Sequence, residues 1–137
     1  MTEVFGTLPD GREVHRVHIA GGGLAASVLT YGAVLQDLRL AGHAPALVLG
    51  FEDMGSYLSH SPYLGATAGR CANRIKGATF ELDGETFRTD PNALGRHTLH
   101  GGSQGIGKRL WTLGEVNDHS VELTMEDPAG HMGFPGN

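Results

Sequence analysis

The chain is poor in cysteine, in basic residues and in long apolar runs. Cys71 is the only cysteine among 137 residues, so no internal disulfide can form and we expect a reducing compartment. Ten Lys and Arg stand against 15 Asp and Glu, a formal net charge of −5, which argues against a general nucleic-acid binder. No apolar stretch approaches the roughly 18 residues that span a bilayer, and the N-terminus lacks a signal-peptide layout. We therefore expect a cytoplasmic protein that engages neither nucleic acid nor membrane.

Glycine is the residue present in excess. It occurs 22 times in 137 residues, about twice the average frequency of ~7%. The glycines follow no fixed period, which excludes a collagen-like chain and a simple repeat array. Turn signals such as "PDG" (9–11), "GGG" (21–23) and "DPAG" (127–130) separate short apolar runs. These features are typical of an all-β protein, and we predict one domain over residues 1–137 with an antiparallel β-sandwich fold.

Seven runs are predicted to be strands: Glu13–Ala20, Leu24–Thr30, Ala46–Gly50, Thr79–Leu82, Glu85–Thr89, Leu110–Glu115 and Ser120–Met125. The clearest pair is "TFELDGETF", in which Asp83-Gly84 supplies a two-residue hairpin turn. This turn predicts that Phe87 lies opposite Phe80. Residues 33–41 fit a helix or a strand equally well, and no long amphipathic helix is predicted.

One glycine-rich loop approaches a phosphate-binding motif. In "GGSQGIGKR", Gly102 is followed after four residues by Gly107-Lys108. The next residue should be Ser or Thr to hold magnesium, but it is Arg109. The loop also follows "RHTLH" instead of a buried apolar strand. We therefore interpret it as a flexible glycine loop and expect no nucleotide cofactor.

Eight histidines raise the question of a metal site. His15 and His18 are three residues apart, and so are His97 and His100. On a strand, a spacing of three directs side chains to opposite faces, so neither pair forms a clean chelate. Cys71 has no recognisable ligand spacing around it. We expect no metal, and surface or core histidines instead.

Three polar residues are candidates for binding a hydroxyl-rich ligand. Asn73 and Arg74 combine a two-way amide with a rigid fork of donors, which suits vicinal hydroxyls, although a salt-bridged arginine is the alternative. His100, in "TLHGG", lies beside two glycines that let backbone or ligand approach closely; a structural histidine is the alternative. Trp111, the single tryptophan, either stacks on a sugar face or belongs to the core.

Taken together, ordered motifs along nearly the whole chain resemble the aldose 1-epimerase family, the galactose mutarotases. They are "FGTLPDGREV", "LTYGAVLQDL", "LVLGFEDMGSYL", "PYLGATAGRCANRIKGATFELDGETF", "LHGGSQGIGKRLW" and "GFPGN". The resemblance implies a galactose mutarotase-like supersandwich, incomplete in this chain, and activity on aldohexoses without metal or organic cofactor. It implies that Asn73 and Arg74 hold sugar hydroxyls and that His100 contacts the substrate near its ring oxygen. Arg70 and Cys71 match the motif and are assigned structural roles.

The resemblance also implies that the family's proton-transfer groups are missing. In the family, a glutamate base and a second histidine acid come from the later half of the chain, beyond the match that ends at "GFPGN". No carboxylate or other histidine here matches them, so the catalytic residues are unknown and the 137-residue chain is expected to be inactive alone. An incomplete sandwich would leave strand edges open, which favours self-association.

Several alternatives stay open. The chain could be a catalytically inactive carbohydrate-binding module, or a relative that acts on hexose-6-phosphates, although "GRCANRI" with "LHGG" favours the free-sugar enzymes. The end at Pro135-Gly136-Asn137 fits a frayed terminus or a chain cut before its next strand. The preferred aldose is not predicted.

Overall fold

The structure is a computed structural model that describes residues 1–60 and 63–137. In chain order the strands are β1 (Thr2–Thr7), β2 (Glu13–Gly21), β3 (Leu24–Leu29), β4 (Val34–Leu40), β5 (Arg74–Ile75), β6 (Thr79–Leu82), β7 (Glu85–Arg88), β8 (Thr98–Leu99), β9 (Thr112–Val116) and β10 (Val121–Thr124). Within the same residues, the one α-helix is α1 (Met54–His60), and single 3₁₀ turns occur at Lys76–Ala78, Ile106–Lys108 and His131–Gly133. All strand pairs are antiparallel, so the all-β antiparallel prediction is confirmed.

The chain divides into two compact units. Unit 1 comprises Met1–Ala66 and Leu110–Met125, and unit 2 comprises Thr67–Arg109 and Glu126–Asn137. Unit 1 contains a four-stranded meander in the order β1-β2-β3-β4 and the two-stranded β9-β10 hairpin. Unit 2 contains two short pairs, β5-β8 and β6-β7. No helix in the described residues is long and apolar enough to cross a bilayer.

The core of unit 1 lies where the meander meets α1. Its buried side chains are Leu8, Val14, Leu29, Tyr31, Val34, Met54 and Tyr57. Asp53 caps the start of α1 by accepting the N–H of Ser56 at 2.8 Å, as a residue at this position does in many helices. The Tyr57 hydroxyl accepts the N–H of Phe51 at 3.1 Å. Burial raises the pKa of Tyr57 above its ordinary value, so the tyrosine stays neutral in the core.

The predicted hairpin in unit 2 is present. Phe80 pairs with Phe87 in register, and their rings stack with centroids 5.5 Å apart. Asp83 and Gly84 both have positive φ, 52° and 82°, as a type I′ turn requires. Phe134 is buried and its ring centroid lies 6.1 Å from that of Phe80. The segment "GFPGN" therefore contributes an aromatic anchor to this unit.

Two parts of the strand prediction need correction. Residues 46–50 form no strand and contain a bend at 47 and 48. Leu47 donates to the carbonyl of Leu38, but no strand pairing follows, and Leu49 is exposed. The N-terminal strand β1 was not predicted, and it pairs with β2. The ambiguous run 33–41 contains β4. Its period is blurred because the polar Gln36 is buried and donates to the carbonyl of Phe51 at 3.1 Å.

Candidate functional site: a donor cluster on β5 and β8

The motifs "ANRI" and "LHGG" meet through the pairing of β5 with β8. Arg74 lies opposite Leu99, and Ile75 lies opposite Thr98. Just beyond this ladder, the N–H of His100 donates to the carbonyl of Asn73 at 2.9 Å. The structure thus brings Asn73, Arg74 and His100 together on one edge of unit 2.

The ring of His100 is oriented by backbone. Its Nδ1 accepts the N–H of Asn73 at 3.0 Å. An acceptor Nδ1 means that the neutral ring carries its proton on Nε2, a tautomer that follows from the hydrogen bond. The side chain is partly buried. The protein therefore fixes the orientation of the His100 ring through Nδ1.

The amide of Asn73 is oriented by its neighbour. Its Oδ1 accepts a hydrogen bond from the guanidinium of Arg74 at 3.1 Å, which makes Nδ2 the group available for donation. Asn73 has φ 61°, in the left-handed region that asparagine tolerates better than most residues. Both residues are exposed. Guanidinium, amide and imidazole donors together suit the oxygen atoms of a polyhydroxylated ligand.

Gly101 in "LHGG" lets two backbone segments touch. A Cβ at this position would lie 1.7 Å from the carbonyl oxygen of Gly69, and φ is +84°. No other residue fits there without moving the backbone. The close approach that the glycines predicted is therefore made by the segment that leads into "ANRI".

Polar side chains of unit 2 hold β8 in place. The side chain of Asn92 accepts the N–H of Leu99 at 2.7 Å and donates to its carbonyl at 2.9 Å. Thr98 is 1% exposed, and its hydroxyl donates to the carbonyl of Asp90 at 2.8 Å. Sequence reasoning missed this support, because neither Asn92 nor Thr98 stands in a motif that indicates a distant partner.

A second polar cluster surrounds Asp127. Its carboxylate binds Nε of Arg70 at 2.7 Å, Nδ1 of His131 at 2.8 Å and the guanidinium of Arg109. Desolvation by burial acts to raise the pKa of Asp127, but the hydrogen bond and charge of Arg70, with the help of His131 and Arg109, outweigh it. The pKa therefore lies below its ordinary value. The carboxylate remains ionised at neutral pH.

Arg70 also binds the end of the chain. Its guanidinium donates to the carbonyls of Pro135 at 2.8 Å, Gly136 at 2.7 Å and Pro128 at 2.9 Å, and it lies 5.9 Å from the ring centroid of Phe134. These contacts agree with the structural role predicted for Arg70. Residues 135 and 136 are thus bound through their carbonyls by the Arg70 guanidinium.

The other residues singled out in the sequence do not belong to the cluster of Asn73, Arg74 and His100. In the loop at 102–109, Arg109 binds Asp127 and the carbonyl of Glu126. Trp111 is partly buried in unit 1, and its backbone N–H donates to the backbone carbonyl of Thr30 at 2.8 Å. Cys71 is exposed. Residues 1–60 and 63–137 contain no group of three His, Cys, Asp or Glu that could hold a metal ion.

Comparison with known proteins identifies the family. The model of the aldose 1-epimerase family matches residues 15–137. The chain belongs to the aldose 1-epimerase family. It is 38% identical over 137 residues to the galactose mutarotase of Bos taurus, covering 97% of this chain and 40% of that protein. It is 32% identical to the aldose 1-epimerase of Escherichia coli K12, covering 100% of this chain and 40% of that protein.

Structural comparison gives the same result. The crystal structure of a galactose 1-epimerase from Lactobacillus acidophilus superposes with a TM-score of 0.82 and 27% identity, covering 100% of this chain and 42% of that one. The fold predicted from the family resemblance is therefore confirmed. This aldose 1-epimerase family chain spans about 40% of the length of the curated relatives it matches.

Proposed function

We propose that this chain supplies the sugar-binding wall of an aldose 1-epimerase that interconverts the α and β anomers of aldohexoses such as galactose and glucose. The observation that carries the proposal is the cluster of Asn73, Arg74 and His100 on the β5–β8 ladder. Its donors are oriented by the protein itself, through the bonds from Asn73 to His100 and from Arg74 to Asn73. Such preorganised donors bind sugar oxygens with little loss of side-chain entropy.

In this proposal, Arg74 and Asn73 hold ring hydroxyls, and His100 contacts the sugar near its ring oxygen. A base removes the proton of the anomeric hydroxyl while an acid protonates the ring oxygen, and the ring opens to the aldehyde. Rotation about the C1–C2 bond and reclosure give the other anomer. Each positioned proton transfer contributes about 10²–10⁴-fold. We assign both the base and the acid to residues outside this chain.

Galactose titration monitored by NMR tests the sugar site. We expect His100→Ala to weaken binding about 2- to 10-fold, the usual effect of losing one neutral hydrogen bond of about 0.5–1.5 kcal/mol. Arg74→Ala should have an effect at least as large, because its donors are charged. His15→Ala, a partly exposed histidine of unit 1, is the matched control. Equal affinity in all three variants and the wild type would contradict the proposed site.

Polarimetry on freshly dissolved α-D-galactose and α-D-glucose tests the assignment of the missing groups. The 137-residue chain should leave the spontaneous rate unchanged while still binding sugar. Acceleration would show that a working acid and base lie within residues 1–137. Binding of hexose-6-phosphates in preference to free hexoses would favour the phosphosugar enzymes instead.

A further inference from the structure

A second histidine contacts the segment that carries the candidate sugar-binding residues. The Nδ1 of His97 accepts the N–H of Gly77 at 3.0 Å, just as the Nδ1 of His100 accepts the N–H of Asn73 at 3.0 Å. The two imidazoles thus bind the two ends of the Asn73–Gly77 segment. Both bonds use a side-chain nitrogen to satisfy a backbone donor that the strand ladder leaves unpaired.

The Asn73–Gly77 segment has little else of its own to hold its shape. Its strand β5 has only two residues paired with β8, and most of the segment is exposed. Asn73 and Gly77 have φ of 61° and 70°, and the next residue, Ala78, has φ 53°. Such conformations persist in non-glycine residues only where the surroundings impose them. External hydrogen bonds at each end of the segment meet this need.

His97 itself is firmly placed. Its N–H donates to the carbonyl of Ala93 at 3.0 Å, and its carbonyl accepts the N–H of Ala93 at 2.9 Å. The following residue, Thr98, is almost fully buried. A histidine fixed in this way can support an exposed neighbouring segment, because its own backbone does not have to be ordered by the contact.

The spacing of three would separate two side chains on a regular strand. Here His100 lies beyond the end of β8 and has φ 49°, so the chain has left the strand conformation at that residue. Both imidazoles therefore reach the same segment. The arrangement uses the two histidines as acceptors for backbone and not as a chelating pair.

We propose that His97 is a positioning residue for sugar binding, acting through the backbone N–H of Gly77 to hold Asn73 and Arg74 in their binding conformation. The inference rests on the proposed function for its effect on affinity. Its structural part, that His97 orders the segment, stands independently of any sugar.

The test compares three variants of the full 137-residue chain. His97→Leu removes the acceptor. His97→Gln moves it one bond further out, as a milder change. His97→Asn keeps an oxygen acceptor at the δ position in place of Nδ1. The matched control is His119→Leu, which removes a contact between an imidazole Nδ1 and the backbone carbonyl of Ala20 in unit 1.

Two readouts are made on each variant: exchange of individual backbone amides with water, and galactose affinity by NMR titration. We expect His97→Leu to accelerate exchange at Gly77 on the order of tenfold, the effect of losing a typical hydrogen bond, and His97→Gln to accelerate it less. They should also perturb the signals of Asn73 and Arg74 and weaken galactose binding severalfold. His97→Asn should restore both readouts towards the wild type, and His119→Leu should leave both unchanged.

The proposal is overturned if Asn73 and Arg74 keep their wild-type signals in His97→Leu and His97→Gln, or if His97→Asn fails to rescue. It is also overturned, as far as sugar is concerned, if the wild type binds galactose and His97→Leu and His97→Gln bind it equally well. Failure of the wild type to bind any aldohexose would instead contradict the proposed function, and the amide readout would still decide the role of His97.

Discussion

Each of the two units of this chain is stabilised internally by a different kind of interaction. Unit 1 has long antiparallel strands, β1 to β4, over an apolar core that includes the fully buried Val14 and Leu29. Unit 2 has strands of two to four residues. It relies on side chains that bind backbone, such as Asn92, His97 and Arg70. A scaffold can be built from strand periodicity, whereas a surface that binds ligand is built from individual polar contacts.

Backbone conformation follows the same division. Among the described residues, positive φ occurs at six non-glycine positions of unit 2 and at two of unit 1: Asn73, Ala78, Asp83, Leu94, His100 and Met132, against Ala33 and Tyr63. Two of the six, Asn73 and His100, are candidate sugar-binding residues. Residues in sparsely populated conformations concentrate at functional sites because the surrounding contacts there impose a geometry that the chain would not adopt alone.

The largest expected effect is the loss of a core side chain in unit 1. Leu29→Ala should lower the free energy of unfolding by about 2–5 kcal/mol, because Leu29 is fully buried and its truncation leaves a cavity. Trp111, which lies in unit 1, allows the transition to be followed by fluorescence during urea denaturation. A loss below about 1 kcal/mol would indicate that the core of this unit is loosely packed.

The next largest effect is expected when the carboxylate of the Asp127 cluster in unit 2 is removed. Asp127→Ala should cost about 1–3 kcal/mol, because it leaves the partly buried Arg70 and Arg109 without their anion. Amide exchange in β6 and β7 measures this local loss. Glu122→Ala, on the exposed side of β10, is a control of the same charge change. Equal effects of the two variants would mean that the cluster adds no more stability than a surface charge.

Acid should weaken unit 2 through the same carboxylate. The pKa of Asp127 is lower in the folded chain than in the unfolded chain, where it is about 3.9. Its contribution is therefore complete above that value and is lost as the pH falls through the lower folded pKa. Amide protection in unit 2 should decline below about pH 4 in the wild type. The decline should be shallower in Asp127→Asn, and identical profiles would exclude Asp127 as its source.

The smallest effect, of opposite sign, is expected at Leu94. Leu94 is 84% exposed, and its backbone has φ 55°. The left-handed backbone conformation costs free energy, and the exposed side chain makes little packing that could offset this cost. Leu94→Asn should stabilise unit 2 by about 0.5–1 kcal/mol. Thermal unfolding and amide exchange measure the gain. A destabilisation would show that Leu94 makes an apolar contact that outweighs the strain.

The comparison of predicted with observed strands shows which strands a sequence pattern can predict. The hairpin at Phe80 and Phe87 was predictable because its turn residues and its alternation are local. The run 46–50 was wrongly predicted as a strand because apolar alternation does not guarantee a partner strand. The strand β4 stayed ambiguous because the buried Gln36 breaks the expected period, and its bond to Phe51 cannot be seen from its neighbours in sequence.

The candidate site was also predicted from the sequence only in part. The motifs around Asn73, Arg74 and His100 pointed to the family and to the residue types that bind hydroxyls, and the family is confirmed. Their roles stay predictions to be tested by the variants above. Asn92, Asp127 and His97 were not assigned to the site, because each acts through a partner between 7 and 57 residues away.

By itself, the sequence determined the all-β antiparallel class, the Phe80–Phe87 hairpin and membership of the aldose 1-epimerase family, because turn chemistry, alternation and ordered motifs are all written locally. Only the tertiary structure decided that Nδ1 of His100 accepts the N–H of Asn73 and which side chains hold β5 and β8 together. It also decided that Arg70 binds backbone carbonyls at the end of the chain. These are long-range hydrogen bonds of small individual energy, and their partners are chosen by how the folded backbone brings distant polar groups within about 3 Å.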